Sequence, residues 1–221
     1  GFGRLVRVGG WRTVPVEVGS AYTNEGWSIE LMSLNRFLNK HVCGSSCDNQ
    51  TREKIGYLAQ HQLLDQIPAL AKDIRIPKYC RQLTMDANGR EIYAANLDIH
   101  PQKPHEDFMV QINAWIGPGG TVTPLHFDRY HNILAQVVGA KRIILFSPSC
   151  SDKLSPHKSP LNNTSQVDLA SLASVSQHAS NLSQLECYDF VLHRGEMLYI
   201  PPGWWHFVQA LEPSASINFW W

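Results

Sequence analysis

The sequence predicts an all-β fold, a jelly-roll sandwich or barrel, on three observations. Eight or more short runs rich in β-branched and aromatic residues recur along the chain, with turn signals between them. Helical spacing is confined to Ser28–Leu38, a short piece near Leu63–Leu70 and a weak one near Leu169–Ser176. No internal repeat divides the chain. At 221 residues it is long enough for one domain with a full core, burying roughly 70% of its unfolded surface.

In order, Arg12–Val18 alternates polar and apolar residues as a half-buried strand does, with Glu17 facing opposite to Val16 and Val18. On pattern alone Glu17 is an ordinary solvent-facing acid. Ser28–Leu38 has apolar residues at 31, 34, 37 and 38, which predicts a helix with Asn24 as its N-cap. Residues 41–54 read as a polar surface loop. Gly56–His61 is a short strand containing Tyr57, followed by a turn or short helix interrupted at Pro68. From Arg81 to Asp107 the chain is turn-rich, with Asn88-Gly89 as a hairpin turn and Glu91–Tyr93 as a strand.

Phe108–Ile116 is a strand, and Gly117-Pro118-Gly119-Gly120 turns it into Thr121–Asp128. Ile133–Val138 and Lys141–Phe146 form a buried pair around the Gly139-Ala140 turn. The Ser-, Asn- and Pro-rich region from Ser147 to Glu186 is a long excursion, expected across the surface. Tyr188–Leu192, Gly195–Ile200, His206–Leu211 and Ser214–Trp221 complete the strands.

Lysine plus arginine and aspartate plus glutamate are both 19, and no basic stripe is visible. That argues against a phosphate-tracking nucleic-acid binder. No apolar run approaches the roughly 18–20 residues of a membrane span, and Gly1–Arg4 does not read as a signal peptide. Five cysteines in a chain of this size are not a disulfide framework, and the expected setting is intracellular and reduced, in nucleus or cytoplasm. Cys43 and Cys47, with His41 nearby, lack the second ligand pair that a structural zinc site needs.

The chemistry concentrates in TVTPLHFDRYHNILAQVVGAKRIILFS, residues 121–147. Side chains two apart on a strand share a face, with Cα atoms roughly 7 Å apart. His126 and Asp128 therefore converge on one ion while Phe127 points into the opposite layer. His206, in IPPGWWHFVQAL, adds a second imidazole. Two imidazoles and a carboxylate suit a non-haem Fe(II) centre with open coordination positions. A lone HxD is commonly a surface pair, so what surrounds the motif decides.

PLHFD, Asn132, GAKRIILFSP, GEMLYIPPGWWH and SINFWW together resemble the Jumonji-C family of cupin-type Fe(II)- and 2-oxoglutarate-dependent oxygenases. RTVPVEVG, GYLAQHQLLDQIP and NAWIGPGGTVTPLH are similar to one branch of it, known for arginyl hydroxylation and also described as lysine demethylases. The resemblance runs from about Gly10 to Trp221. It implies a double-stranded β-helix with a few flanking helices. It also implies one catalytic domain over 1–221, with flanking elements to about 107 and the core from 108, interrupted at about 147–186. It matches His126, Asp128 and His206 to the metal ligands and Lys141 to the lysine pairing with the distal carboxylate of 2-oxoglutarate. Tyr57, Thr123 and Asn132 match further cosubstrate contacts. A dry carboxylate needs such a counter-charge and hydroxyl donors.

The implied reaction uses O2 and 2-oxoglutarate, releases succinate and CO2, and oxidises a C–H bond of a protein or peptide substrate. A peptidyl arginine is the expected target. Glu17 offers the guanidinium a planar acid, and Trp27, Trp115 and Trp220 offer rings to stack on; core packing is the alternative for each tryptophan. An N-methyl-lysine demethylase would use the same iron. A binding module that merely retains the fold is the alternative from another class, and the intact triad and Lys141 stand against it. A zinc hydrolase lacks a general base beside the metal.

Overall fold

The computed structural model describes residues 1–19, 21–23, 25–44, 55–81, 83–85, 91–93 and 110–221. The alternating segment forms strand β1 (Thr13–Val18), which pairs antiparallel with β2 (Ser28–Ser33) over its whole length, Thr13 opposite Ser33 and Val18 opposite Ser28. The helix expected over Ser28–Leu38 is thus a strand in its first half. Leu31, one of its apolar markers, is 74% exposed, so the helical spacing there was coincidental. Six residues of ladder pairing outweigh that weak pattern. Helix α2 (Leu34–Phe37) follows, capped by the Ser33 hydroxyl, which accepts from the Arg36 amide at 3.2 Å. A π-helical turn (Leu38–Val42) continues it. Asn24, the expected cap, and Asn88-Gly89 lie outside the described residues, as do most of residues 41–54.

Strand β3 is Gly56–His61, with α3 (Leu63–Gln66) and α4 (Pro68–Ala71) after it, broken at Ile67 before the proline. Helix α1 (Phe2–Gly9) precedes β1, and a 3-10 turn (Lys78–Arg81) leads to the two-stranded β4 (Leu83–Met85) and β5 (Glu91–Tyr93). The core strands are β6 (Gln111–Gly117), β7 (Val122–Phe127), β8 (Asn132–Val138), β9 (Lys141–Phe146), β10 (Cys187–Leu192), β11 (Met197–Ile200), β12 (Trp205–Ala210) and β13 (Ser214–Trp220). Gly139 makes the β8–β9 turn at φ +73°, where a Cβ would run into the Pro213 carbonyl.

The strands form a seven-stranded antiparallel sheet, β11-β8-β13-β6-β3-β1-β2, and a four-stranded one, β10-β9-β12-β7. This is the jelly-roll arrangement expected from the strand pattern. The outer face of the large sheet, with Ala114, Ile116 and Ala215, packs against the early helices through Leu34, Phe37, Leu63 and Leu64. The outer face of the small sheet, with Leu125, Ile144, Phe146, Trp205 and Phe207, is covered by Leu154, Leu169, Leu182 and Leu185 from the excursion.

That coverage corrects the expectation that residues 147–186 merely cross the surface. The segment holds a 3-10 turn (Pro148–Lys153), α5 (Leu172–Gln177) and α6 (Ala179–Leu182), and it buries Leu154 and Val167 almost completely. It also zips onto the free edge of β7: the Phe127 amide donates to the Asn163 carbonyl at 3.0 Å and the Ser165 amide to the Leu125 carbonyl at 2.8 Å.

Candidate active site

Between the sheets a group of polar side chains sits among apolar ones such as Leu134, Ile200 and Val208. Along β9, alternation sends Lys141, Ile143 and Leu145 inward and Ile144 and Phe146 outward. On β12, His206 and Val208 point inward, opposite Trp205 and Phe207. From the large sheet, Trp115, Asn132, Asn218 and Trp220 line the same cavity.

His206 stands directly opposite His126 on β7, with ring centroids 4.2 Å apart. Asp128 lies one residue beyond the end of β7, where its carbonyl accepts the Gly203 amide at 2.8 Å. Its Oδ1 is 3.8 Å from His126 Nε2 and its Oδ2 3.6 Å from His206 Nε2. These distances are long for hydrogen bonds, and the three donor atoms lie within 4.8 Å of one another. Donors about 2.1 Å from a shared ion would stand about 3 Å apart, so a small contraction closes the set.

Each imidazole is oriented by the carbonyl two residues before it. His126 Nδ1 lies 2.8 Å from the Pro124 carbonyl and His206 Nδ1 lies 3.0 Å from the Trp204 carbonyl. A carbonyl only accepts, so each Nδ1 carries the proton and each Nε2 offers its lone pair to the centre. Burial, and then His206, push the His126 pKa down to about 4, which keeps that lone pair free.

Strict alternation would put Thr123 on the outer side with Leu125 and Phe127. Instead the β7–β12 register shifts, His206 opposite His126 but Val208 opposite Thr123, and this bulge turns Thr123 to the cavity. There its hydroxyl pairs with that of Tyr57. Tyr57 is held neutral by burial, its pKa well above the usual phenol value. Lys141 is 2% exposed, and among the described residues no carboxylate pairs with it; Tyr57's ring centroid is 5.8 Å from its Nζ. Burial pushes its pKa down to about 7. Asn132 Oδ1 and Trp220 Nε1 are buried without hydrogen-bond partners. A buried amine and an orphaned indole N–H at one cavity are the complement of an anion, while Asn132 Oδ1 is an acceptor left for a donor.

A second cleft, of about 230 Å³, shares Tyr57, Trp115, Thr123, His126, Asp128 and Trp220 with this cavity and opens toward Glu17. Glu17 is half-buried, burial raises its pKa, and the Trp27 indole N–H donates to its Oε2 at 3.2 Å. Trp115 and Trp220 line this cleft; Trp27 reaches it only through Glu17. Trp115 is steered by Asn218, whose Oδ1 accepts its indole N–H at 3.1 Å. Trp220 stacks on Tyr130 at 5.4 Å.

A cupin-like domain profile matches residues 15–221. The chain belongs to the cupin-like Jumonji-C family. This Jumonji-C domain is 40% identical over 218 residues to Jumonji C domain-containing protein 5 of Drosophila melanogaster, covering 98% of this chain and 49% of that protein. It is 44% identical over 219 residues to lysine-specific demethylase 8 of Danio rerio (98% and 47%). Against lysine-specific demethylase JMJ30 of Arabidopsis thaliana the figure is 43% over 218 residues (98% and 44%). The chain thus spans about half the length of the curated relatives it matches.

Four polar cleft residues of the Jumonji-C domain escaped the sequence reading: Tyr22, Gln60, Asn163 and Thr164. Thr164 bridges to His126 along the β7 edge, is 1% exposed, and its hydroxyl lies 3.3 Å from that of Tyr22. Asn163 Nδ2 donates to the Phe127 carbonyl at 3.1 Å. No periodicity marks these positions; chain pairing sets Thr164 against His126 on β7 and Gln60 in the β3–β6 ladder.

Proposed function

We propose that this Jumonji-C domain is an Fe(II)- and 2-oxoglutarate-dependent protein oxygenase that hydroxylates a peptidyl arginine side chain, and that it acts inside the cell, in nucleus or cytoplasm. His126, Asp128 and His206 would hold the metal. Two imidazoles and one carboxylate on one side suit Fe(II) and leave the other coordination positions free. Lys141 would take the distal carboxylate of 2-oxoglutarate, which returns the buried amine to its charged form, while Tyr57, Thr123 and Asn132 supply polar contacts. When bound, the iron and 2-oxoglutarate supply the oxidation of a C–H bond by O2 with release of succinate and CO2. The chain's own part is to orient these groups and to keep bulk water from the cavity, whose lining of Trp115 and Trp220 is shared with the cleft.

The observation that carries the substrate reading is Glu17, a half-buried acid opening into the cleft that His126 and Asp128 also line. Burial raises its pKa against one indole N–H donor from Trp27, and a guanidinium would supply both charge and paired N–H donors. A second reading, N-methyl-lysine demethylation, is favoured by the relatives that bear the name lysine-specific demethylase. Cys43, Cys150 and Cys187 form no disulfide, as a reducing compartment would leave them.

The deciding experiment supplies Fe(II), 2-oxoglutarate and O2 to the protein with libraries of arginine and methyl-lysine peptides, followed by mass spectrometry. Gain of one oxygen on arginine supports the first reading, and loss of a methyl group with formaldehyde supports the second. Glu17→Gln should raise the KM for an arginine peptide at least about tenfold. If neither product forms, and no succinate appears with iron, the oxygenase proposal falls.

A further inference from the structure

Strand β3 breaks its own alternation at one residue. Leu58 pairs with Ile116 of β6 and His61 with Ala114, so Ala59 and Gln60 together stand opposite Trp115. A two-against-one bulge of this kind re-aims a side chain. Gln60 has φ +46°, and among the described residues only Ser155 is another non-glycine with positive φ. An ordinary side chain is disfavoured in that left-handed region, where glycine and asparagine are the usual occupants.

The consequence is directional. Under strict alternation Gln60 would share the side of Leu58, which is fully buried in the outer core. The bulge instead leaves Gln60 exposed and lining the cleft with Glu17, Tyr22 and Trp115. A strained backbone kept under a long polar arm, beside a site, marks strain held for use there.

We propose that Gln60 is a specificity-determining residue that hydrogen-bonds the main chain of a peptide beside the residue whose side chain enters the cleft. Glu17 is half-buried and Gln60 exposed, so a side chain whose charged end reaches the acid leaves its own backbone near Gln60. A carboxamide presents one acceptor and two donors, which match the C=O and N–H of a peptide group. This rests on the reading of the cleft as a peptide side-chain pocket.

The test measures affinity for an arginine peptide and a dimethyl-lysine peptide. Each is also made as two depsipeptides, in which the amide N–H before or after the target residue is replaced by an ester oxygen. For the unsubstituted protein, one ester should weaken binding about fivefold to tenfold. Gln60→Ala should weaken binding of the all-amide peptide by a similar factor, and the ester should then cost nothing further. Gln60→Gly, which removes the carboxamide and also releases the backbone, should behave the same and serves if Gln60→Ala does not fold. Independent, multiplying losses, or variants that bind like the unsubstituted protein, overturn this inference alone. Failure of the unsubstituted protein to bind either peptide overturns it together with the pocket reading.

Discussion

His126 and His206 face each other across the β7–β12 pair, and each is locked by an Nδ1–H donated to the carbonyl two residues earlier in the chain, Pro124 in β7 and Trp204 just before β12. Two lone pairs thus aim at one point, with the Asp128 carboxylate 3.6–3.8 Å from both. The backbone does the aiming, so the centre is organised before any ion arrives.

Removing one ligand should therefore leave the fold while abolishing the centre. His206→Ala and Asp128→Ala are expected to weaken Mn(II) binding, followed by electron paramagnetic resonance, at least about a hundredfold. The thermal midpoint of the metal-free protein should change little for Asp128→Ala, because among the described residues its carboxylate has only the two imidazoles as charge partners, at 3.6–3.8 Å. Equal Mn(II) affinity in the variant would remove Asp128 from the ligand set.

Lys141 sets stability against binding. A buried amine without a carboxylate partner is costly, and its pKa is depressed to about 7. Replacement by the similarly long, apolar methionine should stabilise the ligand-free protein by about 1–3 kcal/mol while weakening 2-oxoglutarate binding severely. Urea unfolding and calorimetric titration read the two effects. A Lys141→Met protein that is both less stable and fully able to bind would contradict the assignment.

The same shift fixes a pH dependence. The unfolded lysine keeps its proton up to about pH 10.5 and the folded one loses it near 7, so the unfolded state binds more protons between these values. This group makes the ligand-free protein more stable as pH rises from about 7 toward 10.5, and Lys141→Met should lose that rise. An anion prefers the charged amine, so 2-oxoglutarate affinity should fall above pH 7, by up to about tenfold per pH unit. Proton uptake on binding, seen by calorimetry in buffers of different ionisation enthalpy, checks the sign.

The Tyr22–Thr164 contact joins the β1–β2 connection to the excursion over the cleft. Its hydroxyls are 3.3 Å apart, and Thr164 is almost fully buried beside His126. Thr164→Val should cost about 1 kcal/mol in stability, and a double-mutant cycle with Tyr22→Phe should show coupling of about 0.5–1.5 kcal/mol. Additive effects would mean the contact holds nothing together.

What the sequence determined by itself is whatever depends on local periodicity and spacing. Alternation at Thr13–Val18, the paired apolar runs around Gly139 and the two-residue step from His126 to Asp128 are local, so they were legible without a fold. Ser28–Ser33 was misread as helix because a few apolar spacings cannot report the ladder to β1 that decides it. Tertiary structure alone decided that Thr123 turns inward beside His126, that Gln60 turns outward into the cleft, and that Thr164 returns to the edge of β7. Each depends on the register between strands distant in the chain. A bulge or an edge pairing is chosen by the partner strand and by what the core will bury, so no stretch of sequence read alone contains it.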